Sequence, residues 1–437
     1  MKHYTPTEIA TELSRFAPYD IQALLEPSVG NGNLLTPFLM RNNVGHIVAI
    51  DKDRNAIQDL ISKHENDNIS FINEDFLEWQ KPANENLSFD CVVMNPPFMG
   101  KNKALIKVDL KEEQITNQKS VKHLPMEVVF VLRAIKLLKT NGKLLAIVPA
   151  SVINSSKMSW LREHILSLGH IERVYELPRY TFKGIEAKTF LLVFQKNKKS
   201  ESTILALYDN GNTQEEIVSK EEIKSELRFD YSYFTAKRKY ERYLNVAELG
   251  WTSLNKIATI SRGKVSSPFS DDDVIHYTNF SEGFWQLQSN QGKASPFRLS
   301  NYLICKRVGR DCLSTYGLGI DTTNARFSDC VITIHIKGKN IDKIALLFSL
   351  RTFFTLPEIE SLLKMGTGAA YISVLQLRKT YIPVGLHKAE SKIYKEYKIA
   401  VNGLDYKKMK QIELAAASKI NEYSNLCCLY TDTVLAN

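Results

Sequence analysis

The chain has 437 residues, 44 % hydrophobic and 24 % charged, with a formal net charge of +9. That length exceeds one ordinary core, so two domains are expected, and no apolar run approaches the ~18 residues of a membrane span. The opening "MKHYTPTEIATELSRF" has no apolar h-region, so neither a signal peptide nor a membrane partner is expected, and the cytoplasm is the expected location. Six cysteines lack C-x-x-C spacing and nine histidines form no H-E-x-x-H pair, which argues against a disulfide framework and against any bound metal. The charge is uneven: residues 246–437 hold 24 Lys+Arg against 17 Asp+Glu, most of the excess, where a polyanion would be met.

In chain order, "IQALLEPSVG" reads as a strand ending in a small-residue turn and "NLLTPFLMRN" as a helix. "HIVAIDKD" is a strand, "RNAIQDLISKHE" a helix, and "ISFINEDF" and "FDCVVMNPP" are strands. The helix "MEVVFVLRAIKLLKTNG" follows, then the strand "KLLAIVPA", the helix "SWLREHILSLG", and the strands "IERVYELP" and "TFLLVFQK". This alternation predicts an α/β domain over 1–200 with a doubly wound, mainly parallel Rossmann-like sheet, whose ligands bind beyond the carboxyl ends of the strands. Residues 201–245 read as a polar linker. From 246 to 437, short β-like runs, a helix near "NIDKIALLFSLRTFF" and an amphipathic tail predict an α+β second domain with a helical end.

The strand ends concentrate polar chemistry. "LLEPSVGNGNLL" places Glu26 and Pro27 before Gly30 and Gly32, where backbone can approach a ligand that a Cβ would obstruct; a tight strand-to-helix turn would use the same glycines. Asp51 ends the next strand about twenty residues on, the distance at which a carboxylate meets a ribose in such domains. Asp75 and Phe76 follow the third. Singly, each is compatible with a helix cap or a core position. The fourth strand ends in Asn95, Pro96, Pro97 and Phe98: an amide, a rigid turn and an aromatic. An aromatic amine is a poor nucleophile because its lone pair is delocalised. Alkylating it calls for two acceptors on its N–H bonds and a plate against its ring; Asn95 Oδ1, the Pro96 carbonyl and Phe98 are such a set. No general base is needed, and none is identified.

"LLEPSVGNGNLL", "NEDF" and "VVMNPPF", in that order, resemble the motifs of S-adenosylmethionine-dependent N6-adenine DNA methyltransferases, in the arrangement of the gamma group found in restriction-modification systems. "YTPTEIATELSRF" is similar to the motif that precedes the glycine loop, and "LPRYTFKGIEAKTFLLVF" to a late motif whose aromatic positions a flipped base. The resemblance implies cofactor contacts from Thr5, Glu26, Pro27, Gly30, Gly32, Asp51, Asp75 and Phe76. It implies target-base contacts from Asn95, Pro96, Pro97, Phe98 and Phe182, and methyl transfer from S-adenosyl-L-methionine to adenine N6. Phe98 stands where Tyr is commoner; either aromatic can stack.

"GTGAAYISVLQLRKTYIPV", "LNKIATISRGK" and "YLICKRVGRDCL" resemble pieces of the target recognition domains of type I specificity subunits. That resemblance implies double-stranded DNA as partner, with Lys264, Lys306, Arg307 and Arg310, and Lys101 and Lys103 in the lysine-rich stretch after the NPPF turn, as candidate contacts. A monomer is expected, with any cognate restriction endonuclease encoded separately. Methylation of RNA or of a protein glutamine amide, and a non-enzymatic specificity protein on the same fold, are the alternatives.

Overall fold

The computed structural model describes residues 4–64, 68–79, 88–98, 105–111, 115, 120–182, 188–209, 211–266, 274–276, 280–281, 284–285, 299–309, 311–313, 316–320, 326–338, 342–365, 370–403 and 405–434. Two compact units divide the chain, Met1–Ser232 and Tyr233–Asn437.

The first unit contains β1 (Ile21–Glu26), β2 (Val44–Ile50), β3 (Ile69–Ile72), β4 (Phe89–Met94), β5 (Ile106–Asp109), β6 (Val121–Leu124), β7 (Leu138–Pro149), β8 (Gly169–Glu176), β9 (Thr189–Lys196), β10 (Ser202–Asp209) and β11 (Asn212–Ser219). Among the described residues, nine of these form one sheet in the order β11-β10-β8-β9-β7-β4-β1-β2-β3. Pairing is parallel through β7-β4-β1-β2-β3 and again between β8 and β10; β9 runs antiparallel to both neighbours. The central strands are buried on both faces, so "LL", "CVVM" and "LLAIVP" read as continuous apolar runs. Asp90 fixes the start of β4 against β1: its Oδ2 accepts from the N–H groups of Gln22 and Ala23, and Lys139 Nζ donates to both of its oxygens at 2.9 Å.

Two expectations change, for residues 201–245 and for "NLLTPFLMRN". Residues 201–245 contain β10, β11, the helix Lys220–Glu226 and the helix Tyr231–Leu244, with the unit boundary after Ser232. β11 is an edge strand exposed along most of its length, so its charges mimic a loop. The stretch after the NPPF turn holds the antiparallel pair β5-β6. The helix expected at "NLLTPFLMRN" is one turn, Thr36–Leu39.

In the second unit, strands Ala258–Arg262, Val331–Ile336, Leu299–Lys306 and Tyr316–Ile320 form an antiparallel sheet in that order. Trp251–Ser253 pairs with Tyr381–Pro383, and Arg378 donates to the Ile260 carbonyl, so the "LNKIATISRGK" and "GTGAAYISVLQLRKTYIPV" segments lie side by side. The helix Lys343–Phe354 is apolar around its circumference and buried from Ile344 onward, with its N-terminus capped by Asp342. It carries one cation inward: Arg351 Nε donates to Glu413 Oε1 at 2.5 Å and Nη1 to the Tyr316 carbonyl at 2.6 Å. Tyr397 donates to the same Glu413 oxygen at 2.8 Å.

Removing one member of a buried pair strands the other charge. Glu413→Ala is expected to destabilise the second unit by roughly 3–5 kcal/mol, read from urea-unfolding midpoints.

Candidate active site

The strand register decides which groups reach the surface. Glu26 pairs with Ala49 in β2, so Asp51 stands two residues further along the same direction. At a strand's rise that is about 6–7 Å. Glu26 is accordingly 1 % exposed and sealed behind the lining, whereas Asp51 faces a cavity of about 390 Å³ at the carboxyl ends of β1 to β4, within the usual range of small-molecule sites. Ile50 pairs with Ile72, and Asp75 follows three residues after that strand ends. Leu25 pairs with Val92, which carries Asn95 past the end of β4.

Pro27, Gly30, Asp51, Asp75, Phe76, Asn95, Pro96, Pro97, Phe98 and Phe182 line this cavity. Tyr4, Ser28, Lys52, Asp53, Ala56, Met126 and Phe130 line it too and carried no sequence signal of their own. The glycine loop is held at both turns. Gly30 (φ +53°) donates its N–H to Asp51 Oδ2 at 2.8 Å. A Cβ on Gly32 (φ +82°) would stand 2.8 Å from Leu60 Cδ2. Asp51 Oδ1 accepts from the Asp53 N–H at 2.9 Å. Asp75 Oδ1 accepts from the Leu77 N–H at 3.0 Å, with Lys52 Nζ 3.7 Å from Oδ2.

The aromatics differ in access. Phe76 is 2 % exposed, against Phe130 at 5.0 Å between centroids and with the Arg133 guanidinium 5.1 Å from its ring. Phe182 is equally buried. Phe98 is half-buried and keeps accessible surface for a planar group. Asn95 is held twice: its carbonyl accepts from Ser28 Oγ at 3.1 Å, and its Nδ2 donates to Thr5 Oγ1 at 3.0 Å. Thr5 itself is buried, and its carbonyl accepts from Asn33 Nδ2 at 2.9 Å.

Of the expected DNA contacts, Lys264 is exposed beside Arg262 and Arg326, lining a groove of the second unit. Lys306 pairs with Asp311 at 2.7 Å, and Arg307 donates to the Asp329 carbonyl with its guanidinium 5.8 Å from the Tyr371 ring. These two have internal duties that a basic run in a sequence does not reveal. Lys101, Lys103 and Arg310 lie outside the described residues, as do residues 366–369 of the "GTGAAYIS" segment.

Residues 25–182 match the family model described as Eco57I restriction-modification methylase. Modification methylase CviBIII of Paramecium bursaria Chlorella virus NC1A is 26 % identical over 170 residues, 38 % of this chain and 42 % of that protein. Type II methyltransferase M.HincII of Haemophilus influenzae is 26 % identical over 227 residues, 51 % of this chain and 41 % of that protein. The chain thus spans about two-fifths of the length of these relatives. The solved structure of the type IIL restriction-modification enzyme MmeI in complex with DNA superposes with a TM-score of 0.50 at 11 % identity, covering 95 % of this chain and 70 % of that one. The first unit has the sheet of a methyltransferase-type fold. Within it, residues 25–182 are similar to the methylases of restriction-modification systems.

Glu26 has a measurable signature. Its Oε2 has no hydrogen-bond partner among the described residues, and burial first, then the Asp51 charge, raise its carboxyl well above the ordinary value of 4.5. A carboxyl raised on folding binds its proton more tightly in the native state, so its contribution is complete below the unfolded value and is lost as pH rises through the folded one. Glu26→Gln removes that titration. The variant's stability relative to wild type is expected to increase as pH is raised above about 4.5; thermal midpoints measured from pH 4.5 to 8 check the growing gap.

Proposed function

We propose that the protein is a restriction-modification DNA methyltransferase that transfers a methyl group from S-adenosyl-L-methionine to adenine N6. The observation that carries this reading is Asn95 beside Phe98 on a proline-fixed turn, with the amide's NH2 engaged by Thr5 and its Oδ1 left to accept. S-adenosyl-L-methionine fits this site: the glycine loop, Asp51 and Asp75 and an aromatic wall share one cavity of suitable size. When bound, S-adenosyl-L-methionine supplies a methyl group whose bond to sulfur breaks as the bond to N6 forms.

The chain's own residues position the acceptor. An adenine unstacked from duplex DNA costs a few kcal/mol, recovered by stacking on Phe98 and by hydrogen bonds from N6 to Asn95 Oδ1 and the Pro96 carbonyl. Those two acceptors favour a pyramidal nitrogen with its lone pair toward the methyl, and the surplus proton then leaves to solvent. Duplex DNA as substrate draws on the family match over residues 25–182 and on the groove of Arg262, Lys264 and Arg326. The adjacency of "LNKIATISRGK" and "GTGAAYISVLQLRKTYIPV", joined by Arg378 and the Ile260 carbonyl, supports reading the second unit as the target recognition domain.

Labelled S-adenosyl-L-methionine incubated in parallel with unmethylated genomic DNA, total RNA and protein extract tests the substrate class; label as N6-methyladenine in DNA is expected, and label confined to RNA or protein overturns it. Asn95→Ala is expected to lower DNA methylation at least about 100-fold while cofactor affinity, measured by calorimetry, stays within about threefold. Phe98→Ala is expected to weaken binding of DNA carrying the target adenine by roughly 1–3 kcal/mol in a filter assay.

A further inference from the structure

Thr5, expected to touch the cofactor, has its hydroxyl within hydrogen-bond distance of the Asn95 amide. Oγ1 lies 3.0 Å from Asn95 Nδ2, across ninety residues of sequence, and the threonine is buried. An asparagine amide turns freely about its last torsion, a broad and roughly two-fold well, so alone it presents oxygen or NH2 with little preference. Facing an amino group, the first orientation accepts a hydrogen bond and the second sets donor against donor. A hydroxyl can accept from the NH2 or donate to the oxygen; here it accepts from the NH2, which leaves Oδ1 to face the amine.

We infer that Thr5 is a positioning residue for Asn95, its hydroxyl holding the amide NH2 so that Oδ1 faces the target amine; this rests on the methyltransferase reading of Asn95 given above. The threonine is itself fixed from the glycine loop, because its carbonyl accepts from Asn33 Nδ2 at 2.9 Å. Ser28, at the other end of that loop, donates to the Asn95 carbonyl at 3.1 Å. The backbone and the side chain of Asn95 are thus both referenced to one loop, once directly and once through Thr5. A change in the loop on cofactor binding reaches the amide through both bonds.

Thr5→Val and Thr5→Ala both remove the hydroxyl, so failure of one to fold leaves the other as the test; Thr5→Ser keeps it. With tritiated S-adenosyl-L-methionine and saturating unmethylated genomic DNA, the first two are expected to lose about 10- to 100-fold in kcat, as for one positioned hydrogen bond, with cofactor Kd by calorimetry unchanged within about threefold. The serine variant is expected to restore kcat to within about threefold of wild type. Unchanged kcat without the hydroxyl, a cofactor Kd weakened as much as kcat falls, or a serine variant as slow as valine each overturns the inference. Absent wild-type methylation of DNA overturns the function reading and this inference together, whereas wild-type turnover with an unaffected Thr5→Val overturns only this one.

Discussion

Parallel pairing of β4, β1, β2 and β3 sets the height at which every polar group of the pocket stands. Parallel hydrogen bonds fix register along the strand direction. A residue's distance past its last paired partner therefore determines whether it is swallowed by the sheet or carried beyond it. Glu26 lies level with Ala49 and is buried; Asp51 and Asn95 overshoot and are accessible. Asp90, clamped between two backbone N–H groups of β1 and the Lys139 ammonium, helps hold that alignment at the opposite end. A slip of one residue in β4 would move Asn95 by about 3.3 Å and turn every side chain of the strand to the other face.

On that frame the loops act as a linked set. The glycine loop is tied to β2 through Asp51, to the NPPF turn through Ser28 and to the amino-terminal segment through Asn33. Each bond is modest, on the order of 1 kcal/mol net, but all join short segments that would otherwise move independently. The pocket therefore has a rigid floor of strands and walls whose positions depend on one another.

Much of this was legible in the sequence, and the gaps have physical causes. Central parallel strands declare themselves because burial on both faces forces apolar runs, and the strand-end motifs stand out against them as polar interruptions. β11 did not declare itself, since an edge strand with two wet faces has the composition of a loop. The contact of Thr5 with Asn95 is invisible to any local pattern because neither residue has a neighbour in sequence that signals the other. The sequence also names aromatics without saying which keep an open face: Phe76 and Phe182 are buried, while Phe98 is half-accessible. A basic run likewise does not disclose that Lys306 and Arg307 are already engaged with Asp311 and Asp329.

Cys91 lies in β4, four residues before the amide that would grip the methyl acceptor, and is fully buried. Burial pushes its thiol up to about 12. At neutral pH that holds the sulfur as the thiol rather than the thiolate, the form that reacts with carbon electrophiles. The strand that leads into the NPPF turn thus carries its cysteine as a buried, weakly nucleophilic thiol.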